Sequence, residues 1–233
     1  MVYQPLDWNS DWLILLKTGR ISSTELFTRL ELNEVERFTF DRAISISNYL
    51  KSKWTPKDRY AALDLGASGG VFSLVLNTML DMHCTAVDDD RYILIQDENS
   101  LSSITQMNSR FKNIHINNVL SINSSIEDFI EKLPNVPLYD VVLLLNILHH
   151  FFTGYGQGTE HGKLEWDEFK SLVVKLGVIT GKYLFFETNS LVFPNYEKYL
   201  TDLLYLGNFD KLELVTRSYA TDGSLRAVWC FIK

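Results

Sequence analysis

Two regimes of hydrophobic patterning divide the chain. Up to residue 58, apolar positions recur at helical spacing. "EVERFTFDRAISISNYLKSKW" places Val35, Phe38, Ala43, Ile46 and Tyr49 near one helix face, and Ser23 in "SSTELFTRL" reads as the N-cap of another helix. "TPKD", Thr55 to Asp58, breaks this pattern. From residue 59, short apolar runs alternate with amphipathic segments. "YAALDLG", "HCTAVDDD", "NIHINNVLSI", "YDVVLLLN" and "GKYLFFETN" read as strands. Between and after them, "GGVFSLVLNTML", "RYILIQDENSLSSITQM", "SIEDFIEKL", "EWDEFKSLVVKLG" and "NYEKYLTDLLYLG" read as helices, the last two closed by Gly177 and Gly207. "YDVVLLLN" is apolar without alternation, as a strand covered on both faces is. "KLELVTRSY" and "RAVWCFIK", flanking "ATDGS", read as an antiparallel hairpin.

Alternating strands and helices predict an α/β fold. Right-handed crossovers make it a doubly wound, Rossmann-like sheet of about seven strands, mostly parallel, with a C-terminal antiparallel hairpin and N-terminal helices. Residues 1–58 are expected to form a helical extension covering the active site, and residues 59–233 the main domain. In such sheets ligands gather outside the carboxyl ends of the strands, where the strand order reverses. The residues just after each strand are therefore the ones that carry chemistry.

Composition narrows the classes. The chain is 46% hydrophobic and 22% charged, an ordinary globular balance. A formal charge of -7 and the lack of any Lys/Arg cluster argue against an electrostatic nucleic-acid binder, and DNA is disfavoured as a substrate. Cys84 and Cys230 lie in apolar runs without metal-ligand spacing and are expected as buried free thiols, which fits a reducing compartment and no metal site. The apolar run Trp12 to Leu16 is too short for a membrane span and lacks the basic start of a signal peptide, so a soluble, cytoplasmic protein is expected.

The first strand runs into Asp64, Gly66, Ala67, Ser68, Gly69 and Gly70. Small residues there let the backbone approach a ligand, and the next helix presents free N–H groups. The same residues also suit a plain strand-to-helix turn. A dinucleotide fingerprint would need glycines at 66, 68 and 71, but Ser68 and Val71 stand at two of these positions. The second strand ends in Asp88, Asp89 and Asp90, and an acid about 20 residues beyond such a turn can accept both hydrogens of a ribose diol. Alone, it would read equally well as a solvated acidic loop. Beyond the third strand, "NSSIEDF" offers Ser124 or Ser125 as a helix cap, or as a polar contact to an adenine covered by Ile126. Asn146, His149 and His150 follow the fourth strand. Either histidine could face a substrate as a general base, or else cap or pack under the sheet. Glu187 and Asn189 end the fifth strand and border the same mouth, unless they are simply its polar end.

Together these strand ends resemble the class I S-adenosylmethionine-dependent methyltransferases. The resemblance rests on "LDLGASGG", "AVDDD", "SSIEDF", "YDVVLLLNILHHF" and the closing hairpin, and covers about residues 59–233. It is nearest to the small-molecule, glycan and tRNA-wobble-uridine modifying branches. It implies that S-adenosyl-L-methionine is the cofactor and that residues 59–233 bind it. Gly66, Ala67, Ser68 and Gly69 would then pass under its methionine part, with Asp64 near the amino group. Asp88 and Asp89 would hold the ribose, Ser125 and Ile126 the adenine, and Asn146 would floor the sulfonium. Ser68 stands where the family's middle glycine usually is, and Ser125 where an acid is often found.

The expected activity is methyl transfer to a small-molecule or glycan acceptor at oxygen, with His149 or His150 taking the proton. The segment "FFTGYGQGTEHGKLEW", Phe151 to Trp166, is expected as a flap over the acceptor. In "ERFTFDR", Glu36 to Arg42, either Arg42 or Phe38 could reach the cofactor side of the mouth, a core-facing Phe38 being the expected outcome. Three other readings remain: a non-catalytic binding module, with Ser68 as a sign of decay; an RNA-modifying methyltransferase; and a nicotinamide-dependent oxidoreductase, which the failed glycine fingerprint disfavours.

Overall fold

A computed structural model describes residues 34–54, 59–89, 102–113, 116–147, 150–151, 164–189, 196–219 and 224–233. A helix, α1 (Glu34–Lys53), precedes an alternating series: β1 (Ala61–Leu65), α2 (Val71–Leu80), β2 (His83–Asp88), α3 (Ser103–Asn113), β3 (Val119–Asn123), α4 (Ile126–Glu131) and β4 (Tyr139–Leu144). There follow α5 (Trp166–Ile179), β5 (Thr180–Asn189), α6 (Tyr196–Leu206), β6 (Lys211–Tyr219) and β7 (Leu225–Ile232). The strands form one seven-stranded sheet in the order β3-β2-β1-β4-β5-β7-β6. β1 to β5 pair in parallel, and β7 is antiparallel to both β5 and β6. The order reverses at β1, so the switch point lies between β1 and β4. The predicted fold is the observed one.

The alternation of each central strand fills two cores. Ala62, Val141, Leu143, Phe185, Val228 and Cys230 face α1, α2 and α3, whose Phe40, Ile46, Leu74 and Met107 are fully buried. Leu63, Leu65, Val142, Leu144 and Phe186 face α4, α5 and α6. The unbroken apolar run of β4 is thus explained, because helices cover both faces. Both cysteines are buried free thiols.

α1 packs into the same core as the sheet. Its apolar stripe of Phe40, Ala43, Ile46 and Leu50 is wholly buried, and Trp54 stacks on Tyr60 with ring centroids 3.8 Å apart. Tyr49 donates a 2.7 Å hydrogen bond to Glu213 on β6, and Lys53 pairs with the same carboxylate at 3.0 Å. α1 is thereby fixed across β5, β7 and β6 with its N-terminal half near their ends.

Gly177 does not close α5, as the sequence suggested, since the helix runs on to Ile179. Its role is steric. A Cβ at Gly177 would overlap the Gly207 carbonyl oxygen and lie 2.6 Å from the carbonyl carbon and Cα of that residue. The missing side chain lets the backbone after α6 touch α5. The helix expected over residues 91–107 begins, among the described residues, only at Ser103, and it extends to Asn113. The elements expected before residue 34, the "TPKD" break and the interior of the flap lie outside the described residues. The ends of the flap do not: Phe151 is buried, and its carbonyl accepts a 2.8 Å bond from Leu164 N–H. Among the described residues no helix is long and apolar enough to cross a membrane.

Candidate active site

The ends of β1 and β2 are locked together. Asp64 and Leu65 stand in register with Ala86 and Val87, and beyond them the N–H groups of Gly66 and Ala67 both bond the Val87 carbonyl, at 2.9 and 3.0 Å. To make that fork the chain turns through φ +71 at Gly66, a left-handed conformation that side chains resist. Space also excludes a side chain there: a Cβ at Gly66 would overlap Ile147 Cδ1 and lie 2.5 Å from its Cγ1. Gly66 therefore serves both turn and close approach.

The bend then reaches Asp88. Ser68 N–H donates to Asp88 Oδ2 at 2.7 Å, from a left-handed φ of 49. The two segments singled out in the sequence converge at the carboxyl edge beside the switch point. Burial pushes the Asp88 carboxyl up to about 7; the Ser68 N–H and the Ser103 hydroxyl pull it down, while Asp89 and Asp64 push it up. A carboxylate offers about four acceptor positions. The Ser68 and Ser103 donors leave room for two more.

Asp64 is 2% exposed and points to the α1–α2 side of the sheet. Its Oδ2 accepts Ser73 N–H at 3.1 Å and Ser73 Oγ–H at 2.7 Å. Gly70 gives α2 no side-chain cap, so Asp64 reaches across from β1 to satisfy a first-turn donor and meets the positive end of the helix. Burial nevertheless raises its carboxyl to about 6, against the lowering effect of Ser73. Oδ1 accepts no hydrogen bond from the described residues, so Asp64 has an oxygen to offer a cation.

The remaining predicted residues divide. Asp89 follows Asp88 and is half-buried. Ser125 is the N-cap of α4, its hydroxyl accepting Asp128 N–H at 3.1 Å, which is the capping role the sequence allowed. Ile126 is buried, with Cδ1 3.8 Å from the Cβ position at Gly66, so it does reach the bend. Asn146 turns the chain out of β4 at φ 58, a conformation asparagine tolerates better than most residues. His150 is half-buried and its N–H bonds Ile147 O at 2.9 Å. His149 lies outside the described residues.

Sequence reasoning missed Ile147, Ser73 and Arg226, and it named Arg42 and Glu187 without seeing that they pair in one buried ionic cluster. Ile147 was one of two apolar residues between Asn146 and His149 in "NILHHF", and Ser73 fell in a run read only as helix. The cluster joins Arg42 on α1 to Glu187 near the end of β5, a contact between side chains 5% and 1% exposed, with Arg226 on β7 3.4 Å from the other Glu187 oxygen. Arg42 also donates to Thr39 Oγ1 at 3.3 Å and lies 5.8 Å from the Phe72 ring centroid. Its available signal was a single charge, Arg226, in the otherwise apolar run "LRAVWCFI".

No protein-family model matches the sequence, and no curated protein matches it. Solved structures do match. The bifunctional kinase-methyltransferase WbdD superposes with a TM-score of 0.58 at 19% identity, over 89% of this chain and 41% of WbdD. This chain thus spans less than half the length of WbdD. Magnesium protoporphyrin IX methyltransferase (ChlM) from Synechocystis PCC 6803, solved with bound SAM, superposes with a TM-score of 0.57 at 12% identity over 100% of both chains. Precorrin-6y C5,15-methyltransferase from Geobacter metallireducens GS-15 gives 0.51 at 10% identity, over 81% of this chain and 88% of that one. In strand order, hairpin and helix placement, the chain has the Rossmann-like fold of the class I S-adenosylmethionine-dependent methyltransferases.

Proposed function

We propose that the chain is an S-adenosylmethionine-dependent methyltransferase that transfers a methyl group to a small-molecule or glycan acceptor at oxygen. One observation carries the reading. On a methyltransferase fold, the bend after β1 and the acid ending β2 meet through the 2.7 Å Ser68–Asp88 bond at the switch point. Magnesium protoporphyrin IX and precorrin-6y, named for two of the structural neighbours, are small molecules, the acceptor class proposed here.

The residues fit the cofactor's chemistry. Asp88 keeps acceptor positions for two ribose hydroxyls. Asp64 Oδ1 suits an ammonium group, the backbone from Gly66 to Gly69 brings no large side chain to the bend, and Ile126 and Ile147 supply apolar cover. Ser125 and Asp89 would lie at the adenine and ribose ends. When bound, the cofactor supplies a methyl group already activated on sulfonium. The protein's work is then to align the acceptor and exclude water. Asn146 turns the chain beneath the place of reaction, and His149 or His150 removes the proton of an acceptor hydroxyl.

A non-catalytic binding module is the second reading, favoured by Ser68 holding a left-handed φ where glycine would be unstrained. Calorimetry with S-adenosylhomocysteine separates the readings. Binding that is lost in Asp88→Ala supports the first, and no binding at millimolar concentration refutes it. Retained cofactor affinity with lost turnover in His149→Ala or His150→Ala identifies the base. If both variants keep full turnover, neither is the base.

A further inference from the structure

The chain leaving β4 is pinned at two points. Asn146 turns out of the strand at φ 58, and Ile147 follows with its side chain laid over Gly66. Gly66 has no Cβ, and Ile147 Cδ1 and Cγ1 fill the space where one would stand, with Ile126 Cδ1 3.8 Å from the same point. Gly66 is itself held, because its N–H and that of Ala67 both bond the Val87 carbonyl. The second pin is Phe151. It is fully buried, packs in one core with Ile126 and Ile147, and has its ring centroid 6.4 Å from that of Phe169 on α5. Between the pins, His150 N–H bonds the Ile147 carbonyl at 2.9 Å. His149 and His150 are two of the three residues that separate Ile147 from Phe151.

The two pins differ in what they touch. Phe151 ties this stretch to the core beneath α5. Ile147 seats it against the backbone that, in the reading above, runs beneath the cofactor. Close-packed apolar groups tolerate neither a void nor an overlap, so a shift of the bend at Gly66 is felt by Ile147, and the reverse. The Ile147 carbonyl then passes the constraint to His150 through their hydrogen bond. We propose that Ile147 is a positioning residue: seated over Gly66, it holds the histidine-bearing turn in register with the cofactor bend, so that occupancy of the bend steadies the turn. The contact stands on the geometry; its purpose rests on the methyltransferase reading.

Amide hydrogen exchange at His150, followed by NMR on the whole chain, reads the turn directly, and calorimetry sets the S-adenosylhomocysteine concentration that saturates each protein. In the wild type, saturation should slow His150 exchange by about tenfold, an ordinary coupling between two sites. In Ile147→Ala the ligand should still bind but slow exchange by less than about twofold. A merely structural Ile147 would speed exchange with and without ligand and leave their ratio unchanged, and that result overturns the proposal. Where Ile147→Ala fails to fold, Ile147→Val, which lacks Cδ1 alone, should cut the slowing to about threefold, and the full tenfold overturns the proposal. A second measurement tests the seat itself. The methyl added in Gly66→Ala collides with Ile147, and removing that side chain makes room for it. Gly66→Ala/Ile147→Ala should therefore bind S-adenosylhomocysteine about tenfold more tightly than Gly66→Ala alone. Equal or weaker binding shows that Ile147 does not fill the space over Gly66 and overturns the coupling. No binding to the wild type refutes the methyltransferase reading, whereas binding that leaves His150 exchange unchanged refutes the positioning role alone.

Discussion

Asp64→Asn tests whether the first strand carries its acid at a cost to folding. The Asp64 carboxyl is raised from an ordinary 3.8 to about 6, chiefly by burial. A folded-state value above the unfolded one means that the native state holds the proton more tightly. Stability is therefore lost as pH rises from about 4 to above 6, and the penalty is complete at higher pH. Two pKa units correspond to about 3 kcal/mol, of which about 2 kcal/mol develops between pH 4 and pH 8. Asparagine can still accept from Ser73, but its buried amide hydrogens lack acceptors, a fixed loss of about 1–3 kcal/mol. That loss does not depend on pH, so the slope isolates the carboxylate. Relief of Asp88, which Asp64 pushes up, acts in the same direction. Urea unfolding of both proteins at several pH values should show the variant gaining about 2 kcal/mol on the wild type from pH 4 to pH 8. A difference constant within about 0.5 kcal/mol would refute the assignment of Asp64 as a buried, costly charge.

Other outcomes follow from the same geometry. Asp88→Asn should weaken S-adenosylhomocysteine binding about 10- to 100-fold by calorimetry, the worth of one charged hydrogen bond. Because Asp88 titrates near 7, wild-type affinity should fall as pH drops below that value, and the variant should lack the slope. Gly66→Ala should lose affinity at least about tenfold with a modest melting-temperature change, since strain of about 1–2 kcal/mol is joined by displacement of Ile147 into the mouth. Gly177→Ala pits a helix-propensity gain of about 1 kcal/mol against backbone overlap with Gly207. Overlap should win by about 1–3 kcal/mol in thermal unfolding, and a variant as stable as wild type would show the contact to be loose.

The fold was legible because local pattern and global packing agree. An unbroken run such as Val141 to Leu144 is a strand only if both faces are covered, and strand–helix alternation supplies the covers. The meeting of Gly66, Ser68 and Asp88 was legible too, since neighbouring parallel strands bring their ends side by side. Contacts between distant segments left no such trace. Arg42 and Glu187 are 145 residues apart, and Glu187 and Arg226 are 39 apart. Neither pairing has a period or spacing that marks it. Gly177 was misread for a related reason: glycine signals a helix end locally, and only the path of α6 turns it into a contact surface.

The two edges of the sheet treat polar groups differently. At the amino edge, Thr180 Oγ donates to Leu176 O at 2.6 Å, and Lys233 Nζ donates to the carbonyls of Gly207 and Asn208, both at 2.8 Å. Asp81, the left-handed residue closing α2, has an ordinary helix-ending role. Each edge holds two described non-glycine residues at positive φ, Asp81 and Asn208 at the amino edge and Ser68 and Asn146 at the carboxyl edge, and the carboxyl edge adds two carboxyls raised by burial, Asp64 and Asp88. Each of these costs stability by itself. The two carboxyls share the crevice where doubly wound sheets bind ligands, and each keeps acceptor positions that a ligand could fill: hydroxyls for Asp88, a cation for Asp64. The complementarity of these two acids to a ligand that carries hydroxyls and a cation is the strongest reason to treat this edge as a candidate site.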